Sequence, residues 1–218
     1  MERYDCLIAG GCSFTHGYRL PDNEKESWPA VLANKLDIPC INLGLPGAGN
    51  TYIANSVMDY LLTNRFENPL IVIGWSQWSR QEFCDNQGNL HHITVQMRIT
   101  SKIAEMVFSE YNYPPYLYKK YLNTVLFMQA WLRDSNIDYV MFDALSEMHS
   151  GDYLADPINR ALSKKIDRKK FLGFESKNFN DWTDTADRLP DGHPNAKAHR
   201  RMAEILHEAL LNMNHKEQ

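Results

Sequence analysis

Short apolar runs alternate with amphipathic segments along most of this chain. Runs at 6–9, 38–44, 69–75 and 139–145 are rich in Ile, Val and Leu with little polar alternation. Such runs are typical of strands covered on both faces. Apolar residues recur at helical spacing in 27–36, 50–64, 120–134 and 195–213, with Asn50 predicted as an N-cap. The alternation predicts an α/β fold with a mostly parallel sheet of about four to five strands.

Two long segments interrupt this alternation. Residues 76–119 are rich in aromatic and polar side chains and contain a Pro-Pro pair at 114–115, whereas residues 146–190 are polar and weakly periodic. Loops of this length in a compact domain are usually functional or partly disordered. We therefore predict a single domain over 1–218 with an aromatic-rich insertion or cap at about 76–119.

Length and charge limit the classes of protein to consider. A chain of 218 residues suits one domain with a well-buried core, and its net charge of -4 disfavours a nucleic-acid partner. The basic cluster at 197–201 is interpreted as a solvated helix face. No apolar run approaches the roughly 20 residues that span a bilayer, and no signal peptide is evident. We expect a cytoplasmic protein without membrane insertion; a viral or phage origin stays open.

The cysteines and histidines do not form metal-binding patterns. Cys6, Cys12, Cys40 and Cys84 include no CxxC pair, so we expect buried free thiols in a reducing compartment. The adjacent residues His91 and His92 would point apart on a strand. We therefore expect neither a metal nor another cofactor.

A serine follows the first apolar run, and an Asp-Gly-His-Pro sequence precedes the last helical segment. Ligands bind at the carboxyl ends of the strands in an open parallel sheet, which is where Ser13 falls. A nucleophilic serine needs a base, and the base needs a carboxylate to orient it. Before Pro194 an extended backbone lets Asp191 and His193 point the same way. The alternative is that each is an ordinary turn residue.

The loop after the second apolar run reads NLGLPGAGN. Glycines at 44, 47 and 49 before a helix leave backbone N–H groups exposed, which can bind a phosphate or stabilise an oxyanion. The glycine order differs from the GxGxxG of dinucleotide-binding loops. On its own the loop favours neither interpretation.

The third apolar run ends in an unusual mixture of aromatic and polar residues. Packing by Trp75 and Trp78 with a surface ion pair of Arg80 is one interpretation. In the other, Ser76 or Gln77 donates to an oxyanion and Arg80 clamps a substrate.

The order of these four motifs resembles that of the SGNH hydrolases, also called GDSL hydrolases. GCSFTHG is similar to the first block, which implies that Ser13 is the nucleophile and that its N–H is an oxyanion donor. NLGLPG is similar to the second block, with Gly47 as donor, and PDGHPN to the last, with Asp191 and His193 completing the triad. The resemblance implies a three-layer α/β/α sandwich with a flavodoxin-like sheet, and hydrolysis of acyl esters and thioesters or deacetylation of sugars.

The sequence departs from that family at three places, the first being Cys12, which stands where the family's nucleophile block has aspartate. Ser76 stands where the family usually has asparagine, and losing one oxyanion donor typically costs about 10²–10³ in rate. Gln77, Asn50 or a water could substitute. The DxH spacing is shorter than the common DxxH, so Asp187 or a backbone carbonyl could hold the ring of His193 instead.

These motifs lead to two main hypotheses. The first is a serine esterase or carbohydrate O-deacetylase that acts on a small-molecule or glycan acyl ester. Its oxyanion donors would be Ser13, Gly47 and Ser76, and its substrate contacts His16, Asn50, Trp75, Gln77, Trp78 and Arg80. The second is a weakly active or inactive carbohydrate-binding or structural module on the same fold. Acyl transfer on the same triad also stays open, as does a homo-oligomer interface formed by the aromatic segment.

Overall fold

Parallel strands form the centre of the fold. The computed structural model describes residues 4–145 and 152–214. Five parallel strands pair in the order β2-β1-β3-β6-β7, and an antiparallel hairpin of β4 and β5 stands apart. The strands are β1 Cys6–Gly11, β2 Cys40–Asn42, β3 Pro69–Trp75, β4 Gln81–Cys84, β5 Leu90–Ile93, β6 Asp138–Asp143 and β7 Phe171–Leu172. The α/β prediction and its sheet are confirmed.

Helices cover both faces of this sheet. They are α1 Ser13–His16, α2 Asn23–Glu26, α3 Trp28–Leu36, α4 Asn50–Thr63, α5 Lys102–Glu110, α6 Pro114–Asp134, α7 Pro157–Ser163, α8 Phe179–Trp182 and α9 Ala196–Asn214. Helix α3 packs with α9 in one layer, and α4 packs with α6 in the other. The long helices predicted from the apolar spacing are α3, α4, α6 and α9, and α6 begins six residues earlier than its apolar pattern indicates.

Alternate residues at the ends of β3 and β6 face different layers, as the two-residue period of a strand requires. Phe142 packs edge-to-face on Trp28 of α3, with ring centroids 5.5 Å apart. The next strand position faces the other layer, where Trp75 packs on Tyr121 of α6 at 6.5 Å. Tyr121 also donates a 2.7 Å hydrogen bond to Asp143. Side chains of both faces therefore fill the core.

The segment 76–119 is more regular than predicted. It contains the β4–β5 hairpin, a 3-10 turn Val95–Ile99 and α5, which enclose a small apolar cluster of Ile93, Ala104, Val107 and Phe108. The Pro-Pro pair opens α6 instead of breaking it, because proline at the first helical positions removes no intrahelical hydrogen bond. The last aromatic residues of the segment thus belong to α6.

The segment 146–190 is also not a single loop. Residues 146–151 lie outside the described residues, so the prediction for them is untested. From residue 152 onward the chain forms α7, β7 and α8, and a capping box of Asn178 and Asp181 opens α8. Weak apolar periodicity hid these elements because each is at most seven residues long.

Two predictions about single residue types need correction. All four cysteines are free, but only Cys6 and Cys12 are buried, whereas Cys40 and Cys84 are exposed. The basic cluster at 197–201 exposes its lysine and arginines, yet His199 within it is fully buried.

Candidate active site

Ser13 begins α1 directly after the first strand. Cys12 has an extended backbone as the N-cap residue, and Ser13 is 5 % exposed. Close packing holds the strand end, since a Cβ at Gly11 would lie 2.0 Å from Thr15 Oγ1 and 3.0 Å from the carbonyl oxygen of Gly74. Only glycine fits there, so β1 can approach both α1 and β3.

Hydrogen bonds tie the glycine loop to the Ser13 segment. Asn42 donates from Nδ2 to the carbonyl of Thr15 at 3.0 Å, and its Oδ1 accepts the N–H of Gly44 at 3.0 Å. Gly44 has no room for a side chain, because a Cβ would lie 2.4 Å from the backbone nitrogen of His16. Gly47 has a φ of 84°, a left-handed conformation that favours glycine. The loop therefore runs beside α1.

The backbone N–H groups of Ser13 and Gly47 are available as donors. Neither donates a hydrogen bond to any acceptor in residues 4–145 and 152–214. The first N–H groups of a helix have no intrahelical acceptor, which explains the free donor at Ser13. Both donors belong to the two segments joined by Asn42.

The structure corrects the predicted role of Asn50 as a helix cap. Gly49 is the N-cap of α4, and Asn50 is its first helical residue. The Asn50 side chain accepts the N–H of Ser76 at 2.8 Å and donates to the Ser76 carbonyl at 2.9 Å. Ser76 is fully buried, and its Oγ has no hydrogen-bond partner among the described residues. Asn50 therefore fixes the backbone of the third-strand loop.

The remaining predicted substrate contacts occupy different environments. Trp75 is fully buried in the core, so its side chain is not accessible to a substrate. Trp78 is half-buried against the ring of Tyr153, with centroids 5.0 Å apart. Arg80 donates from Nη1 to the carbonyl of Ala48 at 3.3 Å, which turns its guanidinium toward the glycine loop.

His16 and Gln77 are both half-buried. The Nδ1 atom of His16 is buried and has no hydrogen-bond partner within the described chain. The carbonyl of Gln77 accepts the N–H of Arg80 at 3.2 Å, which closes a turn after β3. His16 ends α1 and Gln77 lies in the loop after β3, both next to the sheet edge that carries Ser13.

The β4–β5 hairpin packs over the glycine loop. Glu82 and His92 are opposite each other in the hairpin, so both lie on the same face. Glu82 Oε1 accepts the N–H of Tyr52 at 3.2 Å, and a Cβ at Gly49 would lie 2.3 Å from that oxygen. The ring of His92 packs edge-to-face on Tyr52 at 4.8 Å, and a Cβ at Gly47 would lie 3.8 Å from the Cβ of His92.

A tight turn carries Asp191 and His193. The N–H of Leu189 donates to the carbonyl of His193 at 2.7 Å, and Gly192 has a φ of 86°. Asn195 then caps α9, because its Oδ1 accepts the N–H groups of Lys197 and Ala198. The turn is held mainly by its own backbone.

The two residues of this turn contact each other. His193 Nδ1 lies 3.1 Å from Oδ2 of Asp191, although the pair is not aligned as a hydrogen bond, and the His193 N–H donates to Oδ1 at 3.2 Å. Burial acts to raise the pKa of Asp191, but His193 and the Arg19 guanidinium outweigh it and hold that pKa below its usual range. Asp187, the alternative carboxylate, pairs with Lys197 at 3.1 Å.

The turn brings His193 beside the Ser13 segment. The His193 ring lies 5.8 Å from the ring of Phe14 and 5.0 Å from that of Tyr18, measured between centroids. Within the described residues, however, no hydrogen bond joins the Ser13 hydroxyl to His193. The segments of the predicted triad are adjacent, while its serine–histidine bond is not formed.

Sequence reasoning missed two arginines near this turn. Arg19 Nε lies 2.7 Å from Oδ2 of Asp191, the oxygen that also faces His193. Arg188 lies over the ring of Phe14 at 6.0 Å and donates to Thr183 Oγ1 at 2.6 Å. Neither residue belongs to a recognisable motif, so the sequence held no signal for them.

His199 was also missed, although a signal was present. It lies three residues before Met202 and seven before Leu206 on the apolar face of α9. Its Nδ1 accepts the N–H of Trp28 at 3.0 Å. Burial lowers the pKa of His199 to about 3, and the charges of Arg188 and His193 add to this effect. His199 therefore packs neutral beneath the turn.

Residues 4–145 and 152–214 contain no group of three or more His, Cys, Asp and Glu residues that could hold a metal ion. Every helix in them is too short or too polar to cross a membrane.

Comparisons with known proteins identify the fold. No protein-family model matches the chain, and no curated protein matches it. Similar solved structures include a member of the lipolytic protein G-D-S-L family from Veillonella parvula (15% identity, 91% of this chain and 94% of that one, TM-score 0.51). They also include esterase EstA from Pseudoalteromonas sp. (13%, 97% and 97%, 0.56) and acetyl xylan esterase AlAXEase (15%, 94% and 98%, 0.51). The chain has the three-layer fold of the SGNH hydrolases, as predicted.

Proposed function

We propose that this protein is a serine-dependent hydrolase of acyl esters, with Ser13 as nucleophile, His193 as base and Asp191 as the carboxylate that orients it. The observation that carries this proposal is the position of the 189–195 turn. It brings His193 against the residues that flank Ser13 and sets Asp191 3.1 Å from Nδ1. The fold shared with solved esterases supports the same chemistry.

His193 would take the proton of the Ser13 hydroxyl as the oxygen attacks the acyl carbonyl. The low pKa of Asp191 keeps its carboxylate charged, which favours the imidazolium that forms. His193 then returns the proton to the leaving alcohol, and water attacks the acyl-enzyme by the reverse sequence. These steps use side chains and water without a metal or cofactor.

The tetrahedral oxyanion would be held by the N–H groups of Ser13 and Gly47. Both are free donors in the described structure, and Asn42 fixes their two segments together. The hydroxyl of Ser76 has no partner among the described residues but is fully buried, so it would act as a third donor only once substrate binding exposes it. Preorganised donors of this kind stabilise charge that develops only in the transition state.

Substrate binding would complete the serine–histidine contact. Catalytic hydrogen bonds are often long in free enzymes and tighten in the substrate complex. The segment 76–119 serves as a cap in this proposal, since its hairpin packs over the glycine loop. Its aromatic residues favour an O-acetylated carbohydrate over a long-chain lipid, in line with the acetyl xylan esterase among the similar structures.

A fluorophosphonate probe tests this assignment. Intact mass should show one adduct on the wild-type protein, none on Ser13→Ala and none on His193→Ala, because only an activated serine reacts. Ser56→Ala, which removes a half-buried hydroxyl on α4, is the matched control and should keep the adduct. Absence of an adduct on folded wild-type protein would contradict the proposal.

The second candidate is a carbohydrate-binding module without turnover. The missing Ser13–His193 hydrogen bond and the serine in place of the third oxyanion donor favour it. Unlabelled Ser13 together with measurable sugar binding would establish this alternative. If Ser13 is labelled, product analysis with an added alcohol acceptor separates hydrolysis from acyl transfer.

A further inference from the structure

A groove of about 470 Å³ runs between α4 and α6 on the layer that faces away from α3. The α4 side presents short side chains, Thr51, Ala54 and Asn55, which leave the groove open. Its size lies within the range of ligand sites, about 300–1,000 Å³. At its inner end the groove shares Thr51 and Lys120 with a much smaller cavity of about 10 Å³, which Asn50, Trp78 and Arg80 also line.

The charged residues that line this groove are all cations. Lys119 and Lys120 lie on its α6 side, and Arg80 lies at the inner end. In the described chain none of the three is within ion-pair distance of a carboxylate. The Nε atom of Arg80 is buried without a partner. Glu82 is near Lys120, but its carboxylate accepts the N–H of Tyr52.

The same face of α6 also carries groups suited to sugar rings. Tyr116, Lys120, Asn123 and Phe127 follow one another at helical spacing, so they share a face. Tyr116 is 63 % exposed and Phe127 is 53 % exposed, although both are large apolar side chains. Flat aromatic faces can stack on sugar rings, and an amide can pair with their hydroxyl groups.

We propose that this groove binds an acidic oligosaccharide, with its carboxylates paired to Lys119, Lys120 and Arg80. The inference deepens and rests on the proposed function, because it specifies the acylated glycan as an acidic one. Asn50, at the inner end, is bonded to Ser76 at the sheet edge that carries Ser13. The groove therefore lies near the sheet edge that carries Ser13, although the cavity of about 10 Å³ between them does not admit a sugar ring.

Titration calorimetry on the Ser13→Ala variant tests this binding without turnover. The probes are a galacturonic acid trimer and a galactose trimer, which differ in the carboxylates. The acidic trimer should bind at least about tenfold more tightly at low salt, and Lys119→Gln with Lys120→Gln should weaken it about tenfold. Phe127→Ala should weaken both trimers.

Lys164→Gln with Lys165→Gln is the matched control, because it removes the same charge from an exposed lysine pair outside the groove. It should leave the affinity for the acidic trimer unchanged. Equal affinity for the two trimers, or equal weakening by both double variants, would overturn the proposal. Tighter binding of a short single-stranded DNA in the groove would also overturn it.

The probe reaction keeps the two proposals separable. If the acidic trimer binds but wild-type protein forms no fluorophosphonate adduct, the groove proposal is supported and the esterase proposal is rejected. If Ser13 forms an adduct but the protein does not prefer the acidic trimer, the esterase proposal is supported and the acidic-ligand proposal is rejected.

Discussion

The two halves of the candidate site are built in different ways. The half that carries Ser13 rests on the ends of buried strands, where Gly11 and Gly44 leave no room for a Cβ atom. The half that carries His193 is a turn held by its own backbone, by the ion pair of Arg19 with Asp191, and by that of Lys197 with Asp187 just before the turn. The first half depends on tight packing and the second on charges and hydrogen bonds. Substitutions should therefore affect the two halves differently.

The largest effect on activity should come from removing the candidate catalytic side chain of either half. Ser13→Ala and His193→Ala should each lower kcat/KM for 4-nitrophenyl acetate by about 10³-fold or more, and the double variant should lose little beyond the single ones. The reason is that the two residues act as one unit. Steady-state hydrolysis assays measure this, with His207→Ala on α9 as a control that keeps activity. If the loss of kcat/KM in the double variant equals the product of the two single losses, the two halves act independently.

Packing of the Ser13 half is tested by Gly11→Ala. The new Cβ would clash with Thr15 and with the Gly74 carbonyl, so we expect the free energy of unfolding to fall by about 3 kcal/mol. Gly88→Ala is the control: it meets no atom within 4 Å but has a φ of 86°, so it should cost about 1 kcal/mol. Urea unfolding compares the two. Equal losses would mean that the neighbours of Gly11 can move aside, and that close packing does not limit the strand end.

The free energy of unfolding should depend on pH because of His199, which packs beneath the 189–195 turn. In the folded state burial lowers the pKa of His199 to about 3, whereas in the unfolded state the residue has its ordinary pKa. At pH values between the two, the unfolded state therefore binds more protons than the folded state. Stability should fall as pH drops from about 6.5, by up to about 1.4 kcal/mol per pH unit. His199→Asn keeps an acceptor for the Trp28 N–H and should flatten this slope in pH-dependent urea unfolding.

Met202→Ala is the control for that experiment, because it removes buried volume from the same helix without a titrating group. It should lower stability by a similar amount at every pH. A slope that His199→Asn leaves unchanged would assign the acid sensitivity to other groups.

The smallest effect should come from Arg19→Gln. Its side chain is 59% exposed, and exposed ion pairs contribute little, so kcat/KM should change by less than about fivefold. The change should shrink further in about 0.5 M salt, which screens exposed charges. Arg188→Gln, which removes a half-buried guanidinium beside Phe14, should lower activity more. A loss above a hundredfold for Arg19→Gln would make it part of the essential machinery.

The sequence predicts the Ser13 half better than the His193 half. Continuous apolar runs mark buried parallel strands, so β3 was predicted with the bounds that the structure has. The carboxyl edge of the sheet then follows from topology, together with the position of Ser13. Contacts between distant segments leave no local pattern, and for that reason the pairing of Arg19 with Asp191 could not be predicted.

Local rules also failed where a tertiary contact was stronger. Asn50 has the residue type of a helix cap, but its amide makes two hydrogen bonds to Ser76 and Gly49 takes the cap position. Trp75 is the last residue of β3, next to a polar loop, yet it packs into the core on Tyr121. The β4–β5 hairpin was hidden because its strands have four residues each and lie in an aromatic-rich segment.

The position of the 189–195 turn along the chain has a consequence for biosynthesis. The five-stranded sheet is complete in sequence at Leu172, before either Asp191 or His193 has been translated. Domains generally fold as units, the N-terminal ones first, while the chain is being synthesised. A nascent chain arrested after β7 would therefore lack both α9, which packs on α3, and any base beside Ser13. In the proposed mechanism ester cleavage would begin only after the 189–195 turn has been translated and α9 has docked on α3, so activity would report the folding of this turn.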